Sequence, residues 1–167
     1  MKEKFVSVMV FSLITSFLSA KSLELGSPAP QLTVLTDQGT AFDLGDALST
    51  GTTLVFFYPK AMTPGCVKQA CSLRDGWDEL QARDVKILGV SSDTTKTQAQ
   101  FRDKYTLPFT LLADTDGKIA DAFSKGRWSR QAYLFRDGIL VWRDLKAATS
   151  KQATEVLAAL DELKISS

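Results

Sequence analysis

Beyond residue 30 the apolar positions recur at two periods, and the switches between them divide the chain into elements. Residues 32–35 and 41–44 alternate around Asp37-Gln38-Gly39 and predict a β-hairpin packed on an edge. Leu54-Val55-Phe56-Phe57-Tyr58 is apolar at every position, as expected of a strand buried on both faces. After Pro64-Gly65, residues Cys66, Ala70, Leu73, Trp77 and Leu80 fall at three- and four-residue spacing and predict one helix reaching about Ala82. A second buried strand is expected over residues 84–91, an amphipathic helix over 95–105, a strand opening at Pro108 and ending at Ala113, and a short helix over 119–123. Strands at 131–135 and 139–143 face one another across the turn Arg136-Asp137-Gly138. A last helix, capped by Ser150, keeps Ala153, Val156, Leu157, Leu160 and Leu163 on one face. Strands alternating with helices and ending in a hairpin describe an α/β fold, a central sheet flanked by helices on both sides.

Composition narrows the chemistry. A chain of 167 residues, 44% apolar and without repeats, makes one domain that holds together without metals or many disulfides. It contains no histidine, which removes Ser-His-Asp and Cys-His mechanisms, most zinc sites and any imidazole switch. With 20 basic and 19 acidic residues, the formal charge of +1 makes no case for a nucleic-acid partner. The aromatics Phe56, Phe57, Trp77, Phe101, Phe109, Phe123 and Tyr133 fall on apolar faces and are expected in the core. The lysines and arginines after residue 118, Arg127, Arg136 and Arg143 among them, form no run and read as solvated surface.

The first 22 residues differ from the rest. Two lysines precede residues 5–20, of which eleven are apolar and five are Ser or Thr. This is the pattern of an export signal; the alternative, an uncleaved membrane anchor, fits less well because the run falls short of the roughly 20 residues that span a bilayer. Ala20 and Ser22 suit cleavage before Leu23, which leaves residues 23–167 as the domain. Cleavage takes Lys2, Glu3, Lys4 and Lys21 away and leaves 17 basic against 18 acidic residues. The expected location is periplasmic or otherwise extracytoplasmic, without stable membrane association once the segment is removed. Such a compartment is oxidising, so two cysteines there need not rest as thiols.

Those cysteines carry the candidate chemistry. Cys66 stands where a buried strand has ended and a helix begins, and the unpaired amides of a first helical turn favour thiolate over thiol. Thr63 is close enough in a tight loop for its hydroxyl to reach the sulfur or an oxygen bound beside it, and Pro59 and Pro64 stiffen that loop. Cys71 lies five residues on, so an intact helix would hold the two Cα atoms about 8 to 9 Å apart. That exceeds the reach of a disulfide, about 7 Å. A bond between them requires local unwinding, which suits a catalytic or sensing cycle better than a static bridge. On spacing alone both residues are also compatible with a buried structural role.

Beyond spacing, the segment Pro59-x-x-x-Thr63-x-x-Cys66 resembles the active-site signature of the peroxiredoxins, thiol peroxidases of thioredoxin-like fold. Thr63-Pro64-Gly65-Cys66 followed by Gln69-Ala70-Cys71 and Arg74-Asp75 resembles their bacterioferritin comigratory protein, or peroxiredoxin Q, subgroup. Val90-Ser91-Ser92-Asp93, residues 101–117 and Arg130-Gln131-Ala132-Tyr133-Leu134-Phe135 look like the family's corresponding segments, so the resemblance covers about residues 24–163. It implies that Cys66 is the peroxidatic cysteine, that Thr63 hydrogen-bonds the peroxide, that Pro59 shields the site and that Arg130 stabilises the thiolate and polarises the bound peroxide. It also implies that Cys71 resolves the sulfenic acid into an intramolecular disulfide, which a thioredoxin-like protein reduces. No metal or organic cofactor is implied, and the subgroup is often monomeric. Without the resemblance Arg130 would read as one more solvated strand residue.

Several positions depart from the subgroup's pattern. Ala61-Met62 replace acidic or polar loop residues, Val67 stands where Thr is usual, and Gln69 stands where Glu is common. Gln131-Ala132 replace a pair of hydroxyl residues. The loop is therefore more apolar than usual, which favours organic hydroperoxides over hydrogen peroxide. Two other functions are carried as alternatives. A thioredoxin-fold disulfide reductase normally needs Cys-x-x-Cys, whereas the spacing here is Cys-x-x-x-x-Cys; a non-catalytic scaffold has no need of Pro59, Thr63 and Arg130 together.

Overall fold

The computed structural model describes residues 23–165, so the expected export segment lies outside the described residues. Seven strands among them form one mixed sheet in the order β2-β1-β5-β4-β3-β6-β7. The expected N-terminal hairpin pairs β1 (Thr33–Thr36) with β2 (Ala41–Asp43) on one edge. In the centre β3 (Thr52–Phe57), β4 (Val85–Ser91) and β5 (Thr110–Ala113) run parallel, joined by helical crossovers. The strands β6 (Gln131–Arg136) and β7 (Ile139–Asp144) close the opposite edge. Their turn is the two-residue Asp137-Gly138, both at positive φ, 49° and 80°, the geometry that matches the twist of flanking strands.

The period-2 alternation of β3 explains the two layers. Leu54, Phe56 and Tyr58 face one core cluster, with Cys66, Ala70 and Leu73 of α2 (Pro64–Asp75), Phe101 of α4 (Thr95–Tyr105) and Val156 and Leu160 of α6 (Gln152–Ile165). Val55 and Phe57 face the other, with Leu44 and Leu48 of α1 (Leu44–Leu48) and Ile119 of α5 (Lys118–Ala122). Both faces are covered, as the unbroken apolar run of β3 requires.

Four expectations about elements need correction. Leu44 begins α1, because the Asp43 carboxylate accepts from the Asp46 amide at 2.9 Å and caps a helix where the alternation read as strand. The strand after Pro108 begins only at Thr110. The last helix starts at Gln152, two residues past Ser150. The long helix expected up to Ala82 is two helices, α2 and α3 (Trp77–Gln81), meeting at Gly76. A Cβ at Gly76 would stand 2.7 Å from the Ala153 Cβ, so close approach of α6 dictates the glycine and the period alone could not show the break. The surface reading also fails at two cations. Arg143 donates to the Leu23 carbonyl, and the Lys125 ammonium sits 4.9 Å from the centre of the Phe57 ring.

Candidate active site

Strand register assembles the site. Phe57, the last residue of β3, pairs with Gln131, the first of β6, so Arg130 arrives beside the loop that leads from β3 to Cys66. That loop is residues 58–63. Its backbone turns at Met62, which sits at φ 65°, a left-handed conformation unusual for a side chain of this size. The Ala61 amide donates to Asp93 Oδ2 at 2.7 Å, and Ser91 Oγ donates to the same oxygen at 2.7 Å. The end of β4 thereby holds the loop. Behind it the Tyr58 hydroxyl donates to Gln98 Oε1, and burial pushes the phenol far above its ordinary range, so it stays protonated.

Pro64 opens α2 at a position where its missing N–H costs nothing. The Val67 amide makes the first bond of the helix, to the Thr63 carbonyl at 2.9 Å, and leaves the amides of Gly65 and Cys66 without intrahelical partners. Cys66 is 1% exposed in this first turn. Arg130 Nη2 lies 3.6 Å from its sulfur, hydrogen-bonding distance for a thiol or thiolate. Gly65 lines the same approach: a Cβ there would stand 3.0 Å from Arg130 Nη2. Thr63 does not cap α2 with its side chain; its hydroxyl donates to the Lys60 carbonyl at 2.8 Å. The proton is committed there, so the oxygen presents its lone pairs to any incoming O–H. Pro59 is half-buried directly after Tyr58.

Cys71 is half-buried on the same unbroken helix, and neither cysteine is in a disulfide. Of the five residues, Arg130 reaches the Cys66 sulfur, Pro59 and Thr63 lie in the loop that leads to it, and Cys71 is set off along α2. Sequence reasoning missed two further residues. Gln69 accepts from Arg130 Nη1 at 2.5 Å, and Gln152 accepts from Gln69 Nε2 at 2.8 Å. The first had a signal in its departure from Glu. The second had none.

A family model described as the AhpC/TSA family matches residues 25–143. The chain belongs to this family of peroxiredoxins. It is 40% identical over 119 residues to the peroxiredoxin Bcp of Escherichia coli, covering 70% of this chain and 74% of that one. Among solved structures it is similar to peroxidoxin BcpB from Mycobacterium tuberculosis, with a TM-score of 0.77, 28% identity and coverage of 84% and 97%. It is likewise similar to a variant of Xanthomonas campestris peroxiredoxin Q, with a TM-score of 0.73, 29% identity and coverage of 78% and 90%. These relatives place the peroxiredoxin in the bacterioferritin comigratory protein and peroxiredoxin Q subgroup, with the thioredoxin-like fold. A separate cavity of about 250 Å³ opens where β3, β4 and β5 end, against Phe57, Ser91, Asp114, Lys125 and Arg127. Cys66, Thr63 and Arg130 do not line it. Its Lys125 ammonium is held below the ordinary range by burial.

Proposed function

We propose that this peroxiredoxin reduces hydroperoxides by way of a Cys66 thiolate, a Cys66 sulfenic acid and a Cys66–Cys71 disulfide. The observation that carries the reading is the Arg130 guanidinium 3.6 Å from a sulfur set in the first turn of α2. The thiolate sulfur attacks one peroxide oxygen and the O–O bond breaks. The second oxygen leaves with the bonding electron pair and takes a proton to become water or an alcohol. Arg130 and the free amides of the first turn supply donors where that charge develops, and Thr63 accepts from the peroxide O–H. Pro59 keeps water from the sulfenic acid. After the first turn of α2 unwinds, the Cys71 thiolate attacks the Cys66 sulfur and expels hydroxide, which leaves the disulfide. A thioredoxin-type dithiol then returns both residues to thiols and is itself oxidised. The loop before Cys66 carries an exposed Met62 and a buried Ala61 where polar residues are usual, so organic hydroperoxides are favoured over hydrogen peroxide. Residues 1–22 act as a cleaved export signal, and the domain works as an extracytoplasmic monomer.

Intact mass after one equivalent of hydrogen peroxide tests the cycle. The reduced parent protein loses two hydrogens, Cys71→Ser accumulates a species heavier by one oxygen, and Cys66→Ser does not react on the same timescale. Parent thiols that survive peroxide for many minutes would overturn the reading. A reporter fused behind residues 1–22 tests export, and sedimentation tests the monomer.

A further inference from the structure

We propose that Gln152, in the first residue of the last helix, is a positioning residue for the peroxide reaction: it orients Arg130 toward Cys66 through the side-chain amide of Gln69. The inference rests on the peroxidase reading and adds a residue some eighty positions from the cysteine loop.

The Arg130 guanidinium donates hydrogen bonds and accepts none. Arg130 Nη1 is 2.5 Å from the Gln69 amide, so that amide must present its oxygen. Its NH₂ group then faces the other way, toward Gln152 at 2.8 Å, so Gln152 must also present its oxygen. The Gln152 NH₂ group is consequently forced toward a region without an acceptor, and it is buried with no hydrogen-bond partner. Both glutamines are fully buried, at 0% exposure, so water does not relieve the mismatch from outside. One donor-only group thus dictates the direction of two amides, and the polarity mismatch is displaced to the far end of the relay. A flipped Gln69 would turn NH₂ against the guanidinium, and the fork that aims Nη2 at the sulfur would lose its anchor. The acceptor on Gln152 is what disfavours that flip.

Packing explains why Gln152 can do this. The Ala153 amide donates to Ser72 Oγ at 3.1 Å, and Gly76 admits the Ala153 Cβ against α2. The start of α6 is thereby registered on the helix that carries Gln69, three residues past Cys66. Among the described residues Arg130 has no carboxylate partner, so an amide relay aims it and leaves its charge for the sulfur.

Gln152→Met keeps the volume and removes both polar ends. The change trades the orphaned Gln152 donor for an orphaned Gln69 Nε2, so Tm is expected to stay level or fall slightly, while oxidation of Cys66 by hydrogen peroxide slows about tenfold from loss of a positioned donor. The pH profile of Cys66 alkylation by iodoacetamide moves to higher pH in the same variant. Gln152→Glu retains an acceptor for Gln69 and restores the rate to within about twofold of the parent. In a Gln69→Met background, Gln152→Met causes no further loss, because the two residues act in series. Unchanged rate and profile in Gln152→Met, or losses that add in the double variant, would overturn the proposal. If Gln152→Met does not fold, Gln152→Ala assayed well below its Tm gives the same rate and profile readouts. Should the parent protein itself ignore peroxide, the peroxidase reading fails while the alkylation profile still decides whether Gln152 acts on Cys66.

Discussion

At Cys66 reactivity is a matter of what surrounds one sulfur atom. Arg130 touches it with one nitrogen and Gln69 with the other, a two-pronged contact that a lysine cannot reproduce. Arg130→Lys is expected to slow Cys66 oxidation about ten- to a hundredfold, by the measure of a lost charge-assisted donor at a reacting centre, as followed by stopped-flow tryptophan fluorescence. Thr63→Val preserves shape but removes the oxygen that faces incoming peroxide and the bond to the Lys60 carbonyl. It should cost about tenfold in the same rate, roughly one hydrogen bond to a partly charged group, and a rate equal to the parent would remove Thr63 from the mechanism. Sequence made Cys66, Thr63 and Pro59 legible because they lie in one short segment, the loop and the first turn of α2. Arg130 stood out only by resemblance, since its partner in space is sixty-four residues away.

Among the elements, Gly76 shows where local propensity and packing disagree. Propensity alone makes Gly76→Ala stabilising by up to about 1 kcal/mol in a helical segment. The approach of the Ala153 Cβ, 2.7 Å from where a new Cβ would stand, reverses the sign. Gly76→Ala is expected to lower stability by about 1 to 3 kcal/mol through overpacking, seen as a lower Tm in calorimetry; a rise in Tm would show that α6 can move aside. The same contact explains the misread helix. Apolar spacing from Cys66 to Leu80 is continuous in the sequence, yet α2 and α3 are separate because α6 crosses at Gly76. The hairpin at Asp137-Gly138 was legible for the opposite reason, since the conformation of a two-residue turn is set by its own residues.

Over the whole molecule, aromatic hydroxyls buried on both faces of the sheet are expected to contribute to the loss of stability at alkaline pH. Burial pushes Tyr133 up to about 12, against a smaller opposing pull from the Arg143 guanidinium, and raises Tyr58 still further. In the unfolded chain both phenols ionise near their ordinary value of about 10. Their contribution is therefore intact below about pH 10 and is lost as pH rises through the interval up to the folded-state value. Thermal unfolding between pH 8 and 12 should show Tm falling above about pH 10, with a shallower fall in Tyr58→Phe; equal slopes would mean that other groups govern the loss. By itself the sequence determined the α/β class, the strand and helix periods, the cysteine loop and the family pattern around it. These are legible because each depends on neighbours within a turn or a strand. Tertiary structure alone decided the end of α2, the partial burial of Lys125 and Arg143, and the relay from Gln152 to Arg130. Each of these depends on which distant element occupies the adjoining space, and an element's own period carries no information about that neighbour.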